Sequence, residues 1–127
     1  MAHKVFDYKA FGRSNPVFVR VSTYRDGSLA IQLLSADEDE YGDPFGDVTK
    51  YIGVGLGEYQ AVVKNYSENE AIPAFLEEFG LGMATGRLEP SGYVNMPVFQ
   101  FDRAALSDVD PRGCAEYEKR KAGGRNG

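Results

Sequence analysis

A chain of 127 residues, 43% hydrophobic and 26% charged, is sized for one domain around one core, and its apolar runs fall far short of the roughly 20 residues a bilayer span needs. The net charge is −5 and unevenly spread: residues 1 to 36 carry five basic and two acidic side chains, whereas residues 37 to 78 carry two basic and eleven acidic. So acidic a middle argues against direct binding to nucleic acid through a basic phosphate footprint, and no membrane association is expected.

The N-terminus MAHKVFDYKAF has no basic region followed by an apolar stretch, and the single cysteine, Cys114, has no internal disulfide partner. Both features fit a cytoplasmic protein. His3 to Ala10 alternates weakly and reads as an edge strand, ending at a turn over Gly12, Arg13, Ser14, Asn15 and Pro16. The stretch Pro16 to Ser35 is a β-hairpin around Arg25-Asp26-Gly27. Its apolar faces coincide only when Thr23, Val21 and Val19 stand opposite Leu29, Ile31 and Leu33, which requires a three-residue loop with Gly27 left-handed in a bulge. A two-residue Asp-Gly turn would instead set Ser22 against Ile31.

Ala36 to Phe45 reads ADEDEYGDPF, an exposed loop in which Gly42, Asp43 and Pro44 break regular structure. Gly46 to Val54 is predicted as a third core strand, followed by a glycine-rich connection and a fourth strand over Tyr59 to Lys64. Ile72, Phe75, Leu76 and Phe79 fall at helical spacing, so a helix is expected from about Asn69 to Phe79; Ser67 and Glu70 offer a capping box, but Pro73 is better placed near the first turn, which starts the regular helix between Asn69 and Ile72. Gly80 suits the left-handed residue after its last turn, and Leu81 can fold back on it. A Pro90-Ser91-Gly92 turn leads into a long strand from Tyr93 to Phe101, where Pro97 implies an edge or a bulge. Beyond Arg103 a short helical turn is followed, from Asp110, by a polar segment rich in Lys, Arg and Gly that is expected to be disordered or a frayed helix.

Taken together, Phe11-Gly12, the hairpin ending Leu29-Ala30-Ile31-Gln32-Leu33, Gly42-Asp43-Pro44-Phe45, the Thr49 strand, Phe75-Leu76-Glu77-Glu78, Gly80-Leu81-Gly82, Thr85-Gly86-Arg87, Ser91-Gly92-Tyr93 and Phe99-Gln100-Phe101-Asp102 form a familiar order. Over roughly residues 11 to 102 the chain resembles a small bacterial domain family of unknown function. The resemblance implies a domain often carried on plasmids, phages and integrative elements. Where that family tends to have asparagine after the threonine of its third main strand, this chain has Lys50-Tyr51. The shared motifs are turn glycines and core aromatics, and they assign no functional residue.

Motifs that carry chemistry are scarce. Gly53-Val54-Gly55-Leu56-Gly57 lacks the third glycine of a dinucleotide loop, having Glu58 there, and a strand follows it in place of a helix. Asp37 to Gly42 begins like a calcium loop, but Tyr41 stands at the fifth-position ligand and Val48 at the closing glutamate, which excludes an EF-hand. His3 is the sole histidine, so neither a triad nor a histidine metal cluster can be assembled. Cys114 reads as an incidental thiol, and Glu77-Glu78 as a solvated helix face.

The reading is therefore one α+β domain over residues 1 to 109, an antiparallel sheet of five or six strands with one main helix on one face, and a flexible tail over 110 to 127. No cofactor, metal or enzymatic activity is expected. The expected role is that of a binding protein whose partner-facing residues are Asp37, Glu38, Asp39, Glu40, Tyr41, Asp43, Asp47, Tyr51 and Tyr59, tyrosine being enriched at binding surfaces. Its partner would be a protein with a basic surface. Given the mobile-element resemblance, the concrete form is an anti-defence inhibitor, anti-CRISPR or anti-restriction, that imitates nucleic acid. The alternatives are a small housekeeping or regulatory module dimerising through an exposed edge strand and, more distantly, a hydrolase using the carboxylates of 37 to 47.

Overall fold

The computed structural model describes residues 4–126, with side chains through Lys121. Met1, Ala2, His3 and Gly127 lie outside the described residues, so the predicted strand start at His3 and that histidine's placement lie outside them too. Among the described residues eight strands form two four-stranded antiparallel sheets, and three α-helices accompany them. The α+β class matches the expectation. Two sheets and three helices replace the single sheet and single main helix.

The first sheet runs in the order β1 (Phe6–Ala10), β2 (Arg13–Thr23), β3 (Leu29–Ser35) and β4 (Pro44–Asp47). β1 is an edge strand, but the turn after it is only Phe11-Gly12, both residues at positive φ (58° and 72°), as a two-residue hairpin turn demands. Asn15 and Pro16 consequently belong to β2 and not to the turn. The amide of buried Asn15 donates to the carbonyls of Tyr8, Ala10 and Arg13, tying the two strands beside the turn.

The β2–β3 hairpin has the expected register. Thr23 stands opposite Leu29, Val21 opposite Ile31 and Val19 opposite Leu33, and Gly27 has φ 88°. Asp26 closes the loop by accepting from the amide and hydroxyl of Ser28. Val17, Val19, Val21, Leu29, Ile31 and Leu33 are all buried on one face, as period-two alternation requires.

The second sheet runs in the order β5 (Thr49–Lys50), β6 (Gln60–Val63), β8 (Val94–Phe101) and β7 (Gly82–Ser91). The predicted third strand is divided at Val48, which joins the two sheets. Its amide donates to Ile31, its carbonyl accepts from Lys64, and the Thr49 hydroxyl accepts the amide of Ile31. The strand stops at Lys50, and residues 51 to 57 have no regular structure. In that stretch Ile52 and Leu56 cover Val62, Met96 and Val98, so the second sheet is apolar on both faces. Pro97 lies in an interior strand and not an edge. The irregularity it implied sits opposite, in β7 between Ala84 and Leu88, and the turn between β7 and β8 is Gly92-Tyr93.

A single 3-10 turn, Ser67–Asn69, precedes α1 (Ile72–Glu78). Pro73 occupies the first turn of the helix and the helix starts at Ile72, as expected; the alternative capping box is not formed, the Ser67 hydroxyl donating to Glu68 instead. The helix end matches expectation: Gly80 has φ 68°, its amide donates to Glu77, and that of Leu81 donates to Leu76. Ile72, Phe75 and Leu76 of α1 are buried, each contributing on the order of 1.5–3 kcal/mol of apolar burial.

The largest departure is the C-terminal segment. α2 (Arg103–Val109), capped by the Asp102 carboxylate, leads into α3 (Pro111–Asn126), where a polar tail was expected. Cys114 and Tyr117 of α3 are buried in the common core with Leu106 and Val109 of α2. β1 pairs only with Arg13 to Val17, so the outer edge of β2 from Phe18 onward is left to the helices. There the Asp110 carboxylate accepts the amide of Val21, and Gly113 lies so close that an added Cβ would collide with the Val21 carbonyl oxygen.

Candidate interaction surface

The acidic loop grows from the end of β3. The Ser35 amide donates to Asp43 and the Gly42 amide donates back to Ser35, with Gly42 at φ 88°. Within the loop, the Asp37 carboxylate accepts the Asp39 amide, the Glu40 amide donates to the Asp37 carbonyl, and the Asp43 amide to the Glu40 carbonyl. The chain is thus locally self-bonded, with Asp37, Glu38, Asp39, Glu40 and Asp43 exposed. Among the described residues none of these five carboxylates makes an ion pair. Tyr41, 54% exposed, stacks on Phe18 of β2 with ring centroids 5.3 Å apart.

The other predicted site residues do not join this loop. Asp47 is exposed on β4 but bonded to Gln32, with Lys64 at 3.8 Å. Tyr51 is exposed and packs beside Tyr24, centroids 5.3 Å apart, at the opposite end of the β2–β3 hairpin, about 20 Å away by strand rise. There the Ser28 hydroxyl and amide, with a smaller bond from Tyr51, hold the Asp26 carboxyl below its ordinary range. Tyr59 is not on the surface at all. It is 3% exposed, its ring lies 4.8 Å from that of Tyr117, and its hydroxyl donates to Glu118, which Arg103 also engages at 2.8 Å. Burial, then the bond to Glu118, push its pKa well up.

Sequence reasoning missed three arginines. Arg20 lies on the outer face of β2, beside a groove of about 580 Å³ whose lining also includes Phe18, Leu34, Arg112, Glu116 and Arg120. Arg120 donates to the Thr23 hydroxyl and the Arg25 carbonyl, and among the described residues none of the three arginines makes an ion pair. Arg112 and Arg120 were hidden in the presumed tail. The alternation that places Arg20 outward was legible.

A second cleft, of about 500 Å³, lies between the β2–β3 loop, residues 54 to 58 and α3, with Arg120 and Lys121 on one side and Asp26 and Glu58 on others. Its glycine-rich wall is the covering of an apolar cluster and opens no helix, unlike a nucleotide loop. Cys114 is buried, and burial pushes its thiol up to about 11, the opposite of an activated nucleophile. Among the described residues no group of three or more His, Cys, Asp or Glu side chains is placed to hold a metal ion, and no helix is long and apolar enough to cross a membrane.

No curated protein and no solved structure matches the chain. One family of domains does match, over residues 18–121, a span that begins in β2, includes the acidic loop and both groove walls, and runs into α3 beyond the roughly 11 to 102 of the motif resemblance. That span takes in most of the chain, so the protein belongs to the family described as a domain of unknown function, DUF4313.

Proposed function

We propose that this protein is a cytoplasmic binding protein that engages a partner protein with a basic surface, and that the 37–43 loop is its contact. One observation carries the reading: five carboxylates are fixed in a self-bonded loop, exposed, and none of them makes an ion pair among the described residues. A surface that concentrates like charge at the expense of stability attracts oppositely charged partners at long range, and a loop already ordered loses little entropy on docking. In its most concrete form the partner is a nucleic-acid-binding enzyme of host defence, whose phosphate channel the spaced carboxylates occupy. Asp47, Tyr51 and Tyr59 drop out of the contact in this version, for the reasons given by their positions.

The competing module, dimerising through an exposed edge strand, would use β1, β4, β5 or β7, of which β7 is the longest. β7 carries exposed Met83 and Leu88, but also a bulge, Pro90 and the Arg87–Glu89 ion pair, which are features that discourage strand addition. A hydrolase would need two of the 37–47 carboxylates in one cleft, and Asp37, Glu38, Asp39, Glu40 and Asp43 project from an exposed loop.

The test is the association rate with a purified defence nuclease, at low and high salt, for the native chain and for Asp37→Asn with Asp39→Asn and Asp43→Asn. The reading expects slower association and a flatter salt dependence for the triple variant, and release of the bound chain by competing DNA. Equal rates and equal salt slopes would remove the loop from the mechanism.

A further inference from the structure

The outer face of the first sheet places opposite charges side by side. Phe18 joins them: Tyr41 of the acidic loop stacks on it, and it lines the groove that Arg20, Arg112 and Arg120 border. Among the described residues neither the five loop carboxylates nor the three arginines make an ion pair, and Phe18, on which Tyr41 stacks, is the residue that loop and groove have in common; Glu116 and Asp110 also line the groove, Asp110 accepting the Val21 amide. Such a face is complementary to itself. A two-fold axis near Tyr41 would bring each acidic loop against the arginines of a second molecule, twice over, because an isologous contact repeats every pairing.

We infer that two copies of this chain associate through this face, the 37–43 loop of each lying against Arg20, Arg112 and Arg120 of the other, with half-exposed Tyr41 at the centre. A second copy is favoured over an acidic peptide of another protein because the peptide would satisfy the arginines and leave the loop uncovered, whereas a second copy satisfies both. The inference shares the acidic loop with the proposed function, but the arginine face belongs to it alone. A failure of self-association therefore leaves partner binding standing, and the reverse also holds.

The experiment is analytical ultracentrifugation of the full chain with a charge exchange. Glu38→Lys with Glu40→Lys reverses loop side chains that make no hydrogen bond among the described residues, and Arg20→Glu with Arg112→Glu reverses the groove while leaving Arg120 on the hairpin loop. The native chain is expected to dimerise, with a dissociation constant at least tenfold weaker at about 1 M than at about 0.1 M salt, as the screening length falls from about 10 Å to about 3 Å. Each double variant alone is expected to be monomeric with an unchanged circular-dichroism spectrum, and an equimolar mixture of the two to recover the dimer. A native chain that stays monomeric at low salt up to its solubility limit would overturn the inference. So would variants that dimerise as well alone as the native chain, a mixture that stays monomeric, or a groove that takes up an acidic peptide without any dimer forming.

Discussion

The phenolic oxygen of Tyr117 accepts the backbone amide of Tyr59 at 2.9 Å, joining α3 to the entrance of β6. Tyr59 has φ 60°, an unfavourable conformation for an aromatic residue, and it is held there by Tyr117 beneath its backbone and Glu118 on its hydroxyl. Helix α3 is therefore a wall of the core. Tyr117→Phe keeps the ring and leaves a buried amide without its acceptor, at an expected cost of about 1–3 kcal/mol. Tyr117→Ala adds a cavity and should cost about 3–5 kcal/mol. Truncation after Asp110 removes Cys114 and Tyr117 together and should abolish cooperative unfolding or lower the midpoint by well over 10 °C, at roughly 4 °C per kcal/mol for a chain of this size. Urea and thermal melts decide it, and an unchanged midpoint for the truncated chain would show that α3 is dispensable.

Tyr8 presents the opposite case. It is buried, with its ring edge-on to Phe75 at 5.2 Å and to Phe45 at 5.8 Å, but its hydroxyl has no hydrogen-bond partner among the described residues. A desolvated hydroxyl without a partner is a net cost, and Tyr8→Phe deletes it without disturbing the ring packing. The variant should be more stable by about 1 kcal/mol. Destabilisation of the same size in urea would reveal a partner for that oxygen.

Cys114 provides a pH signature. Its thiol is raised from an ordinary 9.0 to about 11, mainly by burial, so the folded chain keeps a proton that the unfolded chain releases. The associated stability is intact below pH 9 and is lost as pH climbs from 9 to about 11. Cys114→Ala should have a shallower alkaline decline than the native chain, with Tyr59, also raised by burial, accounting for part of what remains. Urea midpoints taken across that range would show it, and parallel declines would mean that the thiol ionises equally well in both states. Below the transition, reaction of the native thiol with a maleimide should be slow and limited by opening of α3.

The parts of the fold that were legible rest on short-range rules. Alternation from Val17 to Val21 and from Leu29 to Leu33 admits one register, and Gly27 and Gly80 stand where only a left-handed residue closes the turn. α3 was illegible because its burial is non-local. Only Cys114 and Tyr117 of its described side chains enter the core, and their partners include Tyr59, 58 residues away along the chain. The sheet break at Val48 had no punctuation either, because a buried β-branched residue is equally at home in one strand or at the joint of two. The surface divided in the same way. The acidic loop is a composition signal and was read from charge alone, whereas placing Tyr59 inside the molecule, and finding Arg112 and Arg120 beside the groove, required knowing that the tail folds back.

The acidic loop itself should show a measurable electrostatic strain. Asp37, Asp39 and Asp43 border turns, but the side chains of Glu38 and Glu40 make no hydrogen bond among the described residues, so neutralising them alters charge with little effect on loop geometry. Unit charges about 4 Å apart repel by about 1 kcal/mol in bulk water, and the loop glutamates are exposed, so the gain on removing two charges is expected to be a few tenths of a kcal/mol up to about 1 kcal/mol. Glu38→Gln with Glu40→Gln should therefore raise the urea midpoint at about 0.01 M salt, where the screening length is about 30 Å, and match the native chain at about 1 M. This outcome would establish that the native residues are retained against stability, which a merely solvated loop has no need to do. A variant no more stable than the native chain at low salt would mean that the carboxylates are too far apart to repel, and would remove the main physical ground for reading this loop as a surface shaped to meet positive charge.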